Sequence, residues 1–131
     1  MLNMIKGAIS LLTTGLVYLL GGWDVALQSL LIIIVLDYIT GLLKAGKKKS
    51  LSSKIGLKGI KRKVGILCLV AIAVIIDRLA GDSGLIRTTV IYYLVANEGL
   101  SIIENLGALD IGVPEFITDK LEQLKGGNDH E

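Results

Sequence analysis

Residues 44–63 read KAGKKKSLSSKIGLKGIKRK, with nine lysines and arginines and no acidic residue. Immediately before them runs LLIIIVLDYITGLL (30–43), and immediately after them VGILCLVAIAVII (64–76). Positive charge held between two such apolar runs is what a connection at a membrane surface looks like. Lys and Arg are retained on the cytoplasmic side by anionic lipid and by the membrane potential. The flanking segments therefore read as membrane spans, with 44–63 as a basic cytoplasmic loop between them.

The rest of the 131-residue chain agrees. Hydrophobic residues make up 52% of it, too many for one small domain to hide from water, because small domains have a high ratio of surface to volume. They are also blocked rather than scattered. Four hydrophobic segments can be drawn, at about 7–23, 25–43, 64–80 and 85–106. A helix rises about 1.5 Å per residue, so a hydrocarbon core of about 30 Å needs roughly 20 residues, and about 17 at the short end. The second and third segments meet this. The first is interrupted by Thr13 and Thr14 and ends at Gly21-Gly22-Trp23, so it either crosses or lies along the surface. The fourth is long enough but carries Arg87, Asn97, Glu98, Ser101, Glu104 and Asn105, so its polar side must meet protein or water.

The expected fold is an all-α integral membrane protein of three to four transmembrane helices, multi-pass in the bacterial cytoplasmic membrane. Residues 1–112 form the membrane domain. Residues 113–131 form a cytoplasmic tail, with a short amphipathic helix starting at Pro114 and a disordered GGNDHE end.

Within the basic loop, Lys54, Lys58 and Lys61 recur at i, i+4 and i+7, and Ser52 or Ser53 can cap a short helix. The segment is either an interfacial helix or a solvated connector. Lys44, Lys47, Lys48, Lys49, Lys54, Lys58, Lys61, Arg62 and Lys63 are expected to meet anionic lipid headgroups or to set topology. Asp37, roughly 10 Å from Lys44 along a regular helix, must be paired, neutralised or turned inward. Asn97, Ser101, Glu104 and Asn105 form one polar stripe bordered by Glu98. Together with Asp37 they are candidates for contact between copies or for lining a lumen. Gly15, Gly41 and Ala45 permit close helix approach. Asp77, Arg78, Asp82 and Arg87 are candidates for an interfacial ion-pair cluster.

Enzymatic chemistry finds no support. There is no Cys/His metal spacing, phosphate loop or nucleophile with a matched base, and Glu98 and Glu104 diverge on a helix. No cofactor is implied. The single Cys68 excludes an intramolecular disulfide, and His130 is the only histidine, in the polar tail. The basic stretch has no aromatic residue for stacking, so lipid rather than nucleic acid is its anion.

DYITGLLKAG (37–46), SSKIGLKGIKRK (52–63), Asp77 and NEGLSIIENLGALDIGVPEFI (97–117) resemble the phage lysis and toxin-secretion holin family. This family comprises Gram-positive phage holins and holin-like proteins encoded beside clostridial toxins. The resemblance implies a homo-oligomer that gathers in the host cytoplasmic membrane and opens a lesion. The lesion releases an endolysin, or a toxin, and depolarises the cell. Two other classes fit the residues alone: a small channel or transporter subunit, and a membrane anchor recruiting a partner through the basic loop.

Overall fold

The structure, a computed structural model, describes residues 1–126; the expectations for the polar end and His130 fall outside the described residues. Five helices follow one another: α1 (Leu2–Leu19), α2 (Val25–Lys47), α3 (Ser53–Leu79), α4 (Leu85–Ala108) and α5 (Glu115–Leu124). No strand occurs among the described residues. α4 is the central element and packs against α2, α3 and α5. α1 contributes no buried residue. Two turns, 20–24 and 80–84, lie at one end of the bundle, the turn end. Residues 48–52 and 109–114 lie at the other, the basic end.

The helix boundaries have local causes. Asp24 caps α2, its carboxylate accepting the Leu27 N–H at 3.0 Å, and Ser52 caps α3 by accepting from Ile55 at 3.2 Å. Both are standard N-cap chemistry, satisfying an otherwise orphaned donor. α4 starts after Gly84, which has φ +77°, and borrows its cap from another helix. The Asp77 carboxylate accepts from the N–H groups of Ile86 at 3.0 Å and Arg87 at 2.7 Å. At Gly21, φ is +89° and a Cβ would stand 2.4 Å from Arg87 Nε, so only glycine admits both the turn and the arginine.

The inner faces follow helical periodicity. On α2 the buried positions are Leu27, Leu30, Ile34, Asp37 and Ala45. On α3 they are Ile66, Val70, Ala73, Val74 and Asp77, and on α4 they include Arg87, Ile91, Leu94, Glu98 and Asn105. Leu30, Ile34, Ile66, Val70, Val74, Ile91 and Leu94 form one apolar cluster. Beyond it, toward the basic end, the same three stripes turn polar.

The outside is the reverse of a water-soluble protein. Ile32, Val35, Leu36, Ile39 and Leu43 on α2, and Val64, Leu69, Ile72, Ile75 and Ile76 on α3, are exposed. A contiguous apolar exterior of this kind marks an interaction or membrane surface. By length and composition, α1 and α2 are each apolar enough to cross a membrane.

The structure changes one boundary substantially. Residues 44–63 are not a loop: α2 runs on to Lys47, and α3 already begins at Ser53 and continues unbroken to Leu79. The Ser52 cap is present, but the helix it starts does not stop, because nothing in 53–79 breaks it. Only residues 48–52 form the connection.

Asp77 is the test of this arrangement, since it joins α3 to α4. Asp77→Ala leaves two N–H groups at the start of α4 without partners, and should cost about 1–2 kcal/mol of stability by the usual worth of a cap. Thermal unfolding in detergent micelles, compared with Asp82→Asn at the exposed turn, where asparagine keeps the left-handed backbone of φ +61° accessible, should show a lowered midpoint for Asp77→Ala alone.

Candidate functional site: a charge network inside the bundle

Where the apolar stripes give out, α2, α3 and α4 each present charge to one another. Asp37, 6% exposed, and Glu98, 0% exposed, lie on facing helices near their midpoints. Lys63 of α3 reaches between them and donates to both carboxylates. Arg62 Nη1 donates to Glu98 at 3.0 Å and stands 4.0 Å from Asp37. Asn105, buried on α4, donates to Asp37 Oδ1 at 3.2 Å and to Thr40 Oγ1 at 2.9 Å. Among the described residues, no buried side-chain polar atom lacks a partner.

The charge count is two carboxylates against two cations, so the group is neutral as a whole. That balance makes its burial tolerable: an isolated ion in a low-dielectric interior carries a desolvation penalty of several kcal/mol. Lys63, one turn from Ile66 on the inner stripe of α3, is positioned by helical spacing. Close packing helps: the Tyr38 hydroxyl donates to the Gly56 carbonyl at 3.2 Å, and a Cβ at Gly59 would meet the Tyr38 ring at 3.1 Å. A cavity of about 210 Å³ opens beside the network, lined in part by Tyr38, Gly41, Ser101 and Asn105.

A second polar group closes the turn end. Arg87, 7% exposed, donates to Asp24 at 2.7 and 3.1 Å, to the Leu20 carbonyl at 2.7 Å and to the Gly22 carbonyl at 3.1 Å. One guanidinium thereby fixes the α1–α2 turn onto α4, using the planar, multi-donor geometry peculiar to arginine. The hydrogen bond from Arg87 holds the Asp24 carboxyl below its ordinary value, against the opposing effect of burial. Arg78 donates to the Tyr18 carbonyl at 2.6 Å and lies over the Tyr18 ring, 4.0 Å from its centroid.

Comparison with known proteins bears on this geometry. The profile of the bacteriophage holin family matches residues 14–126, which spans α2 to α5 and both polar groups. The chain belongs to the bacteriophage holin family. Its members permeabilise membranes without enzymatic chemistry. A probable holin of Bacillus phage phi105 is 35% identical over 105 residues, 80% of this chain and 78% of that protein. An uncharacterised 14.9 kDa protein in the nagH 3' region of Clostridium perfringens is 44% identical over 125 residues, 94% of each chain. An uncharacterised Listeria monocytogenes protein is 43% identical over 116 residues, 87% of this chain and 83% of that one. No solved structure matches.

In this holin-family chain the polar residues of α4 divide. Glu98 and Asn105 enter the network, and Ser101 lines the cavity beside it. Asn97 is half-buried and Glu104 exposed, so the four-residue stripe is not one surface. Glu98, expected at its border, is the most enclosed of all. Arg62 and Lys63 depart from the headgroup role: they pair with Asp37 and Glu98. Lys47 pairs with Asp110 at 2.7 Å and also donates to the Ala108 carbonyl. Lys44 is half-buried, while Lys48, Lys49, Lys54, Lys58 and Lys61 are exposed.

The expected cluster of Asp77, Arg78, Asp82 and Arg87 does not form. Asp77 is spent on capping α4, Arg78 on Tyr18, and Arg87 pairs instead with Asp24; Asp82 is exposed in the turn. Gly41 lies at the α2–α4 contact, a Cβ there reaching 3.8 Å from Asn105, and Ala45 is buried on α2, whereas among the described residues nothing comes within 4 Å of a Cβ at Gly15. Asp24 was the residue missed. Its position before Val25, as an acidic cap at the start of a helix, was the available signal.

Two outcomes follow from these geometries. Lys63→Met leaves Asp37 and Glu98 facing each other and should destabilise strongly, by about 3–5 kcal/mol for a broken buried pair. Adding Glu98→Gln to Lys63→Met should recover part of that loss, read as melting midpoint and yield from membranes.

At the turn end, Asp24 has its carboxyl pKa lowered in the folded protein from 3.8. Its contribution is therefore present above that value and lost as pH falls below it. The drop in melting midpoint below pH 4 should be smaller in Asp24→Asn than in the parent.

Proposed function

We propose that this chain is a holin of the multi-span kind, assembling in the bacterial cytoplasmic membrane into a timed lesion. The observation that carries the reading is the inversion of polarity in a holin-family chain: charge is paired inside the bundle and apolar surface faces out. Such a molecule has little reason to fold in water and good reason to dissolve in lipid.

In this reading α2, α3 and α4 cross the membrane as a unit and α1 crosses beside them, tethered by Arg87 at its end. The basic turn 48–52 and the lysines of early α3 lie on the cytoplasmic side. There Lys48, Lys49, Lys54, Lys58 and Lys61 meet anionic headgroups. The turn end then faces outward. The tail from 113 onward starts on the cytoplasmic side, and α1, with Gly15 open to close approach, is the natural contact between copies.

Because the Asp37–Lys63–Glu98 group is satisfied within one chain, a single copy is stable in lipid and can accumulate. Assembly then opens the lesion, releasing cargo and collapsing the potential. The phage phi105 relative, described as a probable holin, supports the permeabilising role; the cargo in this reading is an endolysin or a toxin.

Expression from a tightly regulated promoter in a bacterium tests the reading. Growth should continue for a delay and then stop abruptly with depolarisation, and a co-expressed endolysin lacking any secretion signal should lyse the culture at that moment. Steady growth at high membrane levels of the protein would refute it.

A further inference from the structure

α5 lies in an unexpected place. It leaves the basic end at Pro114 and runs back along α4, so that Leu121 sits in a notch at Gly99. A Cβ at Gly99 would fall 2.8 Å from Leu121 Cδ2 and 3.3 Å from Ile33 Cδ1. Further along, Leu124 shares a groove with Val25, Ala26, Ile91 and Val95, and the Lys125 ammonium stands 5.9 Å from the Tyr93 ring centroid. Gly99 is next to Glu98 at the middle of α4, and Val25 begins α2 at the turn end. α5 therefore passes the midpoint of the helices it covers.

Its most enclosed residues are Thr118 and Leu121; Glu115, Asp119, Lys120, Glu122 and Gln123 are exposed, as are the apolar Phe116 and Ile117 in its first turn and Leu124 at its end. Among the described residues, none of these charged groups belongs to an ion pair. If α2 and α4 span the bilayer, that charged surface stands at hydrocarbon depth, where each charge costs about 2.5–3.5 kcal/mol against lipid. Lipid is therefore excluded as its neighbour. The outer faces of α2 and of α3 from Val64 onward are apolar and suit lipid, whereas Lys61 and Arg62 are exposed on α3 beside the network. α5 is the element that carries charged side chains past the midpoint of the helices toward the turn end.

We propose that α5 is the wall of the aqueous opening. In dispersed copies it rests at the cytoplasmic surface; on assembly it folds in along α4, Leu121 seating at Gly99, with Asp119, Lys120 and Glu122 turned to water. The α4 stripe cannot serve this purpose, because Glu98 and Asn105 are already engaged with Asp37, Lys63 and Arg62. This inference rests on the holin reading above and deepens it by assigning the surface that borders the hole.

The experiment uses the full-length protein with Cys68→Ala, since Cys68 is itself exposed. Single variants Glu122→Cys, on the proposed wall, and Ile32→Cys, on the apolar face of α2, are reconstituted in planar bilayers of phosphatidylethanolamine and phosphatidylglycerol. Once openings appear, a polyethylene-glycol maleimide is added to both sides. Conductance should fall for Glu122→Cys and stay unchanged for Ile32→Cys.

A second arm joins Tyr93→Cys and Lys125→Cys with a short bis-maleimide in cell membranes. The intramolecular cross-link should appear as permeability begins. Openings unaffected by reagent at position 122, or permeable cells without the 93–125 cross-link, overturn the proposal and leave the holin reading standing. Absence of any opening from the Cys68→Ala parent overturns both.

Discussion

Two carboxylates placed at the middle of two apolar helices set the terms for everything else in this chain. Asp37 and Glu98 cannot be left unpaired in a low-dielectric interior, and Lys63 is the cation that reaches both, with Arg62 completing the balance. The requirement is geometric as well as electrostatic. α3 must lie against α2 and α4 at the one height where Lys63 meets both acids, which fixes the register of three helices at once. Apolar side chains alone would tolerate sliding by a turn; a charged triad does not. Buried polar groups are known to specify register in this way elsewhere, and here the apolar cluster around Leu30, Val70 and Ile91 supplies the packing that the charges orient.

The same requirement explains why α3 is longer than a span needs. Its first turns, from Ser53, are basic and amphipathic, and they continue without a break into the apolar run that starts at Val64. Were residues 53–63 a loop, Arg62 and Lys63 would have no fixed direction. Held in a helix, they project at a set height and face, and Gly56 and Gly59 let that helix lie against the Tyr38 ring.

Much of this was legible from the amino-acid order and some was not. The helical class, the apolar segment near 25–43 that α2 carries, the helix over the 85–106 segment, and the C-terminal helix after Pro114 follow from block hydrophobicity and helix-start chemistry. The network was written in the same periodicity, unread: Leu30, Ile34 and Asp37 on α2, Lys63, Ile66 and Val70 on α3, and Ile91, Leu94 and Glu98 on α4 are continuous stripes whose polar members sit at their ends. Reading charge as a marker of the membrane surface assigned Lys63 to lipid, because local composition cannot say which of nine basic residues faces inward. Likewise, Asp77, Arg78, Asp82 and Arg87 are close in sequence, and proximity suggested mutual pairing. The partners that matter, Asp24 for Arg87 and the start of α4 for Asp77, are fixed by how the two turns meet, which depends on tertiary packing.

A permeabilising membrane protein faces a contradiction that this arrangement resolves. It must carry hydrophilic surface to line an opening, yet each copy must first persist in lipid. One solution exposes the polar side chains and relies on other copies to cover them, but then a lone copy is unstable and accumulation fails. Here Asp37 and Glu98 are balanced by Lys63 and Arg62 within one chain, so the buried charge of the body asks nothing of its neighbours. The hydrophilic surface resides instead on a separate short helix, joined through residues 109–114. A ten-residue helix has little stability of its own, so its position is decided by what surrounds it. Under the proposed mechanism, water beside α4 admits it and lipid expels it. Assembly and opening would then be the same event, since the gathering of copies that excludes lipid from one flank would also let the polar helix take its seat.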